Sequence, residues 1–231
     1  MKRPAITALL LLFLSAPETW AAGGPHIVDD SEVETPGTCH LEVWATRFVP
    51  GDGYLNVAPA CTAKQMPWLE IGVAYQHYWD ELVGGPLLGP AMKVNFQSET
   101  TGVGVGLGLS AGVNLRTGNL GTAALLALVT LPLDDKVKFS FNAGWNYLQA
   151  EPQQNALFYG AQVEAKVGWN ITLMLEAFGR TPNGQVGSQL GLRYTPRAGE
   201  REGPFDFELL IGNTFDSTSG RFVTIGATIR Y

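Results

Sequence analysis

Hydrophobic and polar side chains alternate with a period of two along most of the chain beyond its N-terminus. In KVKFSFNAGWNY, residues 136–147, the odd positions carry Val, Phe, Phe, Ala, Trp and Tyr, whereas the even positions carry Lys, Lys, Ser, Asn, Gly and Asn. Successive side chains of a β-strand point to opposite faces, so this pattern predicts a strand with one apolar and one polar face. Residues 157–167 and 170–180 repeat the pattern, although Met174 and Phe178 lie on the polar face.

Segments of this kind predict about twelve strands, separated by turn compositions such as PGDG, RTGN, PNG and DSTSG. The apolar run at 119–131 does not alternate; we predict a strand with two apolar faces there, with a buried helix as the alternative. The predicted strands span residues 40–49, 54–62, 68–79, 91–97, 102–115, 119–131, 136–148, 157–167, 170–180, 185–195, 205–214 and 221–231.

The strand at 102–115 is unusual because glycines fill its non-apolar face, at Gly102, Gly104, Gly106, Gly108 and Gly112. A phosphate-binding glycine loop lies between a strand and a helix, and no helical pattern is present. A bare inner face instead lets another backbone or a plug approach closely, or sharpens the curvature of the sheet.

The amino-acid composition indicates which class of β-protein these strands form. Only 16% of the residues are charged, where about a quarter is usual, and mean hydropathy is +0.06. The longest apolar stretch beyond the N-terminus, 120–133, is shorter than the roughly 18 residues of a spanning helix. These values predict a single closed antiparallel transmembrane β-barrel, with a soluble all-β domain as the alternative. The net charge of −6 argues against nucleic acid as a partner.

The first residues have the pattern of a signal peptide. Lys2 and Arg3 precede the apolar run AITALLLLFLSA, and Thr19 and Ala21 supply small residues before the expected cleavage point. We therefore predict a signal peptide at 1–21, an acidic periplasmic segment at 22–38 and a barrel at 39–231. An uncleaved anchor helix is the alternative, but its apolar core would be short.

Export would place the two cysteines, Cys39 and Cys61, in an oxidising compartment, where a disulfide can form. They lie at the far ends of a predicted hairpin about PGDG, where facing Cβ atoms are about 4.5–5.5 Å apart. This position predicts a disulfide, with two unpaired buried thiols as the alternative. Neither cysteine has the CxxC spacing of a redox or zinc site.

The chain ends in an alternating strand, RFVTIGATIRY, whose last residue is Tyr231. This ending resembles the C-terminal strand of bacterial outer-membrane proteins, in which a terminal aromatic is read by the barrel assembly machinery. The resemblance implies a location in the outer membrane, contact with its lipid, and a role for Tyr231 as an assembly signal.

Several segments together resemble a family of small outer-membrane barrels, the meta-pathway phenol degradation transporter-like family. They are FNAGWNY at 141–147, YGAQVEAKVGWNITLMLEAFGR at 159–180, QLGLRY at 189–194 and TIGATIRY at 224–231. Asn142 with Gly144, Glu176 with Gly179, and Gly226 match the family's pattern. The resemblance implies a barrel and a role in the uptake of hydrophobic or aromatic compounds, without a defined binding site.

A barrel of about twelve strands has an intermediate bore, between a filled eight-stranded barrel and an open porin. The charges predicted to line its lumen are balanced, which favours salt bridges across the lumen; selection of a solute is the alternative. They are Glu42, Glu70, Lys93, Lys136, Lys138, Glu164, Lys166, Glu176, Arg193, Asp206, Glu208 and Arg230, with Gly104, Gly106 and Gly108 on the bare wall.

The segment AGGPHIVDDSEVETPGTC carries four carboxylates and His26 but no basic residue. We interpret it as a solvated acidic tail. A divalent metal site and a plug that enters the lumen to meet Lys136, Lys138 or Lys166 are the alternatives.

These features predict a narrow passive pore for small, fairly hydrophobic molecules, aromatic compounds among them, without a cofactor, a metal or catalytic residues. A non-transporting structural or interaction barrel is the first alternative. An outer-membrane hydrolase is the second: the only histidines are His26, His40 and His77, and the GxSxG match GLSAG at 108–112 lies inside the predicted strand 102–115 rather than at a strand-to-helix turn.

Overall fold

The computed structural model describes residues 25–49, 51–79, 85–151, 153–182, 186–198, 201–214 and 220–231. The predicted signal peptide and Ala22 lie outside the described residues. The strands are β1 Cys39–Phe48, β2 Gly53–Thr62, β3 Leu69–Tyr78, β4 Leu87–Gln97, β5 Gly104–Asn114, β6 Leu120–Pro132, β7 Val137–Leu148, β8 Asn155–Gly168, β9 Ile171–Thr181, β10 Val186–Tyr194, β11 Arg197–Ala198, β12 Arg201–Glu202, β13 Phe205–Thr214 and β14 Arg221–Arg230.

Twelve of these strands form one closed antiparallel barrel, while β11 and β12 pair only with each other in a small hairpin. Each barrel strand pairs with its neighbours in sequence, and β14 returns to β1. At this seam the backbone N–H groups of Cys39 and Tyr231 donate to each other's carbonyl oxygens at 3.0 and 2.9 Å. The predicted closed barrel of about twelve strands is confirmed.

The predicted strands agree with the observed ones except at β4, which begins at Leu87 rather than at residue 91. Proline is a poor strand residue because it has no N–H for the ladder. Pairing between β4 and β5 passes from Leu88–Val113 to Ala91–Ser110, so Pro90 lies where this ladder is interrupted. The run at 119–131 is the strand β6, as predicted.

The predicted faces of the strands also agree with the structure. On β9 the outward Leu175 is 53% exposed and the inward Met174 is 1% exposed; on β14 the outward Ile225 is 60% exposed. Within the described residues, no helix has the length and apolar character needed to cross a bilayer.

The disulfide between Cys39 and Cys61 is present, as predicted. The two residues are direct cross-strand partners of β1 and β2, with their Cα atoms 4.0 Å apart. It therefore ties the first hairpin together at the end of the barrel where β1 begins and β14 ends, which we call the near end.

Apolar side chains line the lumen from its middle towards the opposite, far end. Two clusters meet at Phe48, whose ring centroid lies 5.7 Å from that of Phe222 and 6.3 Å from that of Tyr54. We call this set the apolar collar: Trp44, Phe48, Tyr54, Tyr78, Leu87, Leu126, Leu128, Phe158, Phe178 and Phe222.

Candidate functional site

The near half of the lumen holds the chain's own N-terminal segment, residues 25–34, which we call the plug. His26, Val28 and Ser31 are 4%, 0% and 0% exposed. The interpretation of this region as a solvated tail is therefore wrong for these residues, and the alternative of a segment inside the lumen agrees with the structure. Of the three lysines predicted to meet it, Lys138 pairs with an aspartate of the plug.

One buried carboxylate, that of Glu176 on β9, binds the tip of the plug. Its Oε2 accepts hydrogen bonds from the backbone N–H groups of Ile27 at 2.8 Å and Val28 at 2.9 Å, and its Oε1 lies 2.8 Å from Nδ1 of His26. A single carboxylate therefore fixes three consecutive residues, and it is itself only 1% exposed.

The imidazole of His26 lies between two carboxylates. Its Nε2 is 3.0 Å from Oε1 of Glu208 and 3.0 Å from Nη2 of Arg193. Burial by itself would lower the pKa of His26, but the carboxylates of Glu208 and Glu176 outweigh burial and raise the pKa to about 10. The two flanking carboxylates therefore favour the protonated ring.

Two aspartates anchor the middle of the plug. Asp29 pairs with Nζ of Lys93 on β4 at 2.8 Å, and Asp30 pairs with Nζ of Lys138 on β7 at 2.6 Å. Burial raises the pKa of Asp29 to about 7, because attraction to Lys93 offsets only part of the lost hydration and both Asp30 and Glu70 add repulsion. Lys138 and Lys93 outweigh burial at Asp30 and hold the pKa of that carboxyl below its usual range.

The chain leaves the lumen through a turn at residues 35–38. Oε2 of Glu34 accepts from Nε of Arg230 on β14 at 2.8 Å. Gly37 then adopts a φ of 93°, a left-handed conformation that favours glycine, and its N–H donates to the carbonyl of Thr62 at 2.7 Å. This turn delivers the chain to the start of β1.

Inner-face glycines make room for the plug. A Cβ built on Gly106 of β5 would lie 3.0 Å from the carbonyl oxygen of Ser31, and one on Gly160 of β8 would lie 2.6 Å from a methyl group of Val28. A Cβ on Gly104 would meet the Ser31 hydroxyl. The close approach of a plug, one of the two explanations for the bare wall, therefore agrees with the structure at Gly104 and Gly106.

A cavity of about 610 Å³ lies at the near end beside the plug. The carboxylate of Glu164 joins Lys138 at 3.5 Å and Arg193 at 3.6 Å, and Arg230 pairs with Asp206 at 2.7 Å. Glu176 lies beneath the tip of the plug, and Gly108 is buried opposite Lys93. All of the charged residues predicted to line the lumen, except Glu176, line this cavity: Glu42, Glu70, Lys93, Lys136, Lys138, Glu164, Lys166, Arg193, Asp206, Glu208 and Arg230.

The residues that hold the plug's backbone include three that were not predicted: Asn142, Thr130 and Asn95. Asn142 accepts from the N–H of Asp29 at 2.7 Å and donates to its carbonyl at 2.8 Å. Each lies on the inward face of its strand, and this was the only sign of their role in the sequence.

The histidines give no support to a hydrolase. His77 stacks on Tyr75 with the ring planes 5° apart, and the residue opposite it on β2 is Leu55, which carries no nucleophile. His40 lies in the lumen between Glu34, Glu42 and Glu70, at 3.8 to 4.0 Å. Among the residues that the structure describes, no group of three or more histidine, cysteine or acidic side chains is placed to hold a metal ion.

Comparison with known proteins gives one family and a fold. A family model described as "Uncharacterised conserved protein UCP029691" matches residues 10–231, so the resemblance to the phenol-degradation family is not confirmed. Among curated proteins, none matches the sequence significantly.

Two porins and an outer-membrane phospholipase are among the solved structures similar to this chain. The KdgM porin has a TM-score of 0.62 at 6% identity, and the NanC porin has 0.63 at 7%; each match covers 82% of this chain and 98% of the porin. Outer membrane phospholipase A from Escherichia coli has a TM-score of 0.50 at 10% identity, covering 94% of this chain and 95% of that chain. At such identities the likeness concerns the fold alone.

Proposed function

We propose that this chain, which belongs to the UCP029691 family, is a passive outer-membrane channel for small, fairly hydrophobic molecules, and that its plug holds the channel closed. The division of the lumen carries the proposal. A solute crossing the barrel meets the apolar collar on one side of the plug and a charged, water-accessible cavity on the other.

The apolar collar supports the choice of solute. A hydrated ion would lose its water shell against side chains such as Phe48, Tyr54 and Phe222, and such hydrophobic constrictions oppose ions. An aromatic or aliphatic molecule loses little there. The bare glycine wall, which first suggested apolar passage, carries less of this argument, because Ser31 of the plug packs against Gly104 and Gly106.

The charges of the cavity support a structural role rather than ion selection. Three cations of the wall have acidic partners on the wall itself: Lys138 pairs with Glu164, Arg193 with Glu208, and Arg230 with Asp206. Paired charges leave no field of one sign along the path. We therefore assign them to holding the wall and the plug.

The proposal also places the protein in its membrane. We propose that the near end faces the periplasm, that the outward apolar side chains contact outer-membrane lipid, and that the barrel assembly machinery reads Tyr231 during biogenesis. The porin-like fold and the apolar outer surface support this placement.

Uptake by porin-deficient cells tests the function. The variant Asp30→Asn removes the plug's ion pair with Lys138 without altering the wall, and Asp52→Asn in the β1–β2 turn is its matched control. We expect the plug variant to take up a small aromatic compound several-fold faster than a sugar of equal size, with little ion conductance in planar bilayers. The control should behave as the wild type.

A structural barrel is the second candidate, because the apolar collar and the plug together occupy much of the lumen. If neither the wild type nor the plug variant speeds uptake of any solute, this alternative is favoured. Large, steady ion conductance by the wild type would contradict both proposals.

A further inference from the structure

We propose that the near half of the lumen is a peptide-binding site, and that it accepts an acidic peptide in a bent conformation like that of the plug, from outside the chain, when the plug is released. The plug itself shows how such a ligand would be bound. The proposal does not depend on whether the barrel transports a solute.

The wall recognises the main chain of the plug. Glu176 accepts from two consecutive N–H groups, and Asn142 binds both the N–H and the carbonyl of Asp29. Oγ1 of Thr130 accepts from the N–H of Ser31 at 2.9 Å, and Nδ2 of Asn95 donates to its carbonyl at 2.7 Å.

Further along, Oε2 of Glu70 accepts from the N–H of Glu34 at 2.8 Å. The plug's backbone is thus hydrogen-bonded by side chains of five barrel strands: β3, β4, β6, β7 and β9. Contacts to a main chain serve any peptide that adopts this backbone conformation, whatever its side chains, and main-chain hydrogen bonds are a general source of affinity in peptide recognition. The buried wall groups would be left without partners if nothing occupied the site, and burying an unpaired polar group is costly.

Side-chain contacts define the peptide that fits. The position of His26 requires a cationic donor, because the carboxylates of Glu176 and Glu208 flank it. Ile27 packs into the apolar cluster that contains Leu126 and Leu128. The two following acidic positions face Lys93 and Lys138. The expected ligand is therefore a peptide with a histidine, two apolar residues and two acidic residues in succession, bent at the apolar pair as the plug is.

The site is occupied in the structure because the plug is tethered to it. A short tether gives a linked ligand an effective concentration in the millimolar range. A free peptide therefore competes poorly with an intact plug, and well with one that has lost its anchoring charges.

Fluorescence anisotropy of a labelled synthetic peptide, PHIVDDSEVETP (residues 25–36), tests the site with the full chain in detergent. We expect the Asp30→Asn variant to bind the peptide at least ten-fold more tightly than the wild type. A scrambled peptide of the same composition should bind at least ten-fold more weakly. Adding Asn142→Leu or, separately, Thr130→Val to that variant should also weaken binding, with barrel folding checked by heat-modifiable migration.

Equal binding of the scrambled peptide would overturn the proposal, because it would show charge attraction without main-chain recognition. Absence of binding by the plug variant up to about 1 mM peptide, the scale of the tethered plug, would overturn it as well. Both results are obtained without a membrane, so failure of solute uptake leaves the peptide result unaffected.

Discussion

The strongest test of the plug's attachment is the substitution Glu176→Gln. The carboxylate accepts from the N–H groups of Ile27 and Val28 and pairs with His26, all within 2.9 Å. Hydrogen bonds to a charged group contribute about 1.5–3 kcal/mol, against about 0.5–1.5 for neutral pairs. Glutamine keeps one acceptor oxygen, so the bonds from the Ile27 and Val28 N–H groups weaken by about 1 kcal/mol each; its NH2 group replaces the oxygen that faces His26, and loss of that bond costs about 1 kcal/mol or more.

Together these losses weaken docking of the plug by about 3 kcal/mol, which corresponds to a rise of roughly 150-fold in the population with the plug released. Hydrogen exchange of the Ile27 and Val28 amides, followed by mass spectrometry in detergent micelles, measures that population. Glu42→Gln, which changes a lumen carboxylate 3.9 Å from His40, is the control and should leave this exchange unchanged. If the exchange of both amides in Glu176→Gln equals that of the wild type, the assignment of Glu176 as the anchor is refuted.

Three further predictions follow from the plug and the barrel seam. In the docked plug the pKa of Asp29 is about 7 and that of His26 is about 10, both above their usual values. Docking should therefore weaken as pH rises from about 4 to 7, where Asp29 loses its proton, and from about 6.5 to 10, where His26 loses its proton. Amide exchange corrected for its intrinsic pH dependence should reveal this loss, and tighter docking at pH 10 than at pH 5 would contradict it. Replacing Cys39 and Cys61 by serine opens a link across a sequence separation of 22 residues and should lower the free energy of unfolding by about 3 kcal/mol. The urea midpoint of the variant should be lower than that of the oxidised wild type and close to that of the reduced wild type; a midpoint equal to that of the oxidised wild type would contradict this. Tyr231→Ala keeps the two backbone bonds to Cys39, so it should reduce the amount of barrel assembled in cells more than the urea midpoint of purified barrel; equal accumulation with the wild type would contradict a role in assembly.

The barrel was predictable because its determinants are local. Alternation assigns each side chain to one of two faces without knowledge of the partner strand, and it identified β6 from its neighbours even though both faces of that strand are apolar. The disulfide followed for the same reason, because a hairpin places Cys39 beside Cys61. Among the barrel strands, the prediction missed only the start of β4, because Gly89 and Pro90 interrupt the pattern of a strand there.

By itself, the sequence determined which side chains face inward, including Glu176, Lys93 and Lys138, and that glycines leave part of the inner wall bare. It did not determine that a single plug would meet all of them. Glu176 is about 150 residues from the plug in the chain, and only the closing of the barrel, with the stagger of its strands, brings β4, β6, β7 and β9 around one axis. An acidic stretch has the same composition whether water solvates its carboxylates or lysines pair with them. The position of residues 25–34 was therefore decided by the tertiary structure. Only the closed barrel places enough buried hydrogen-bond partners within reach of that backbone to offset its loss of water.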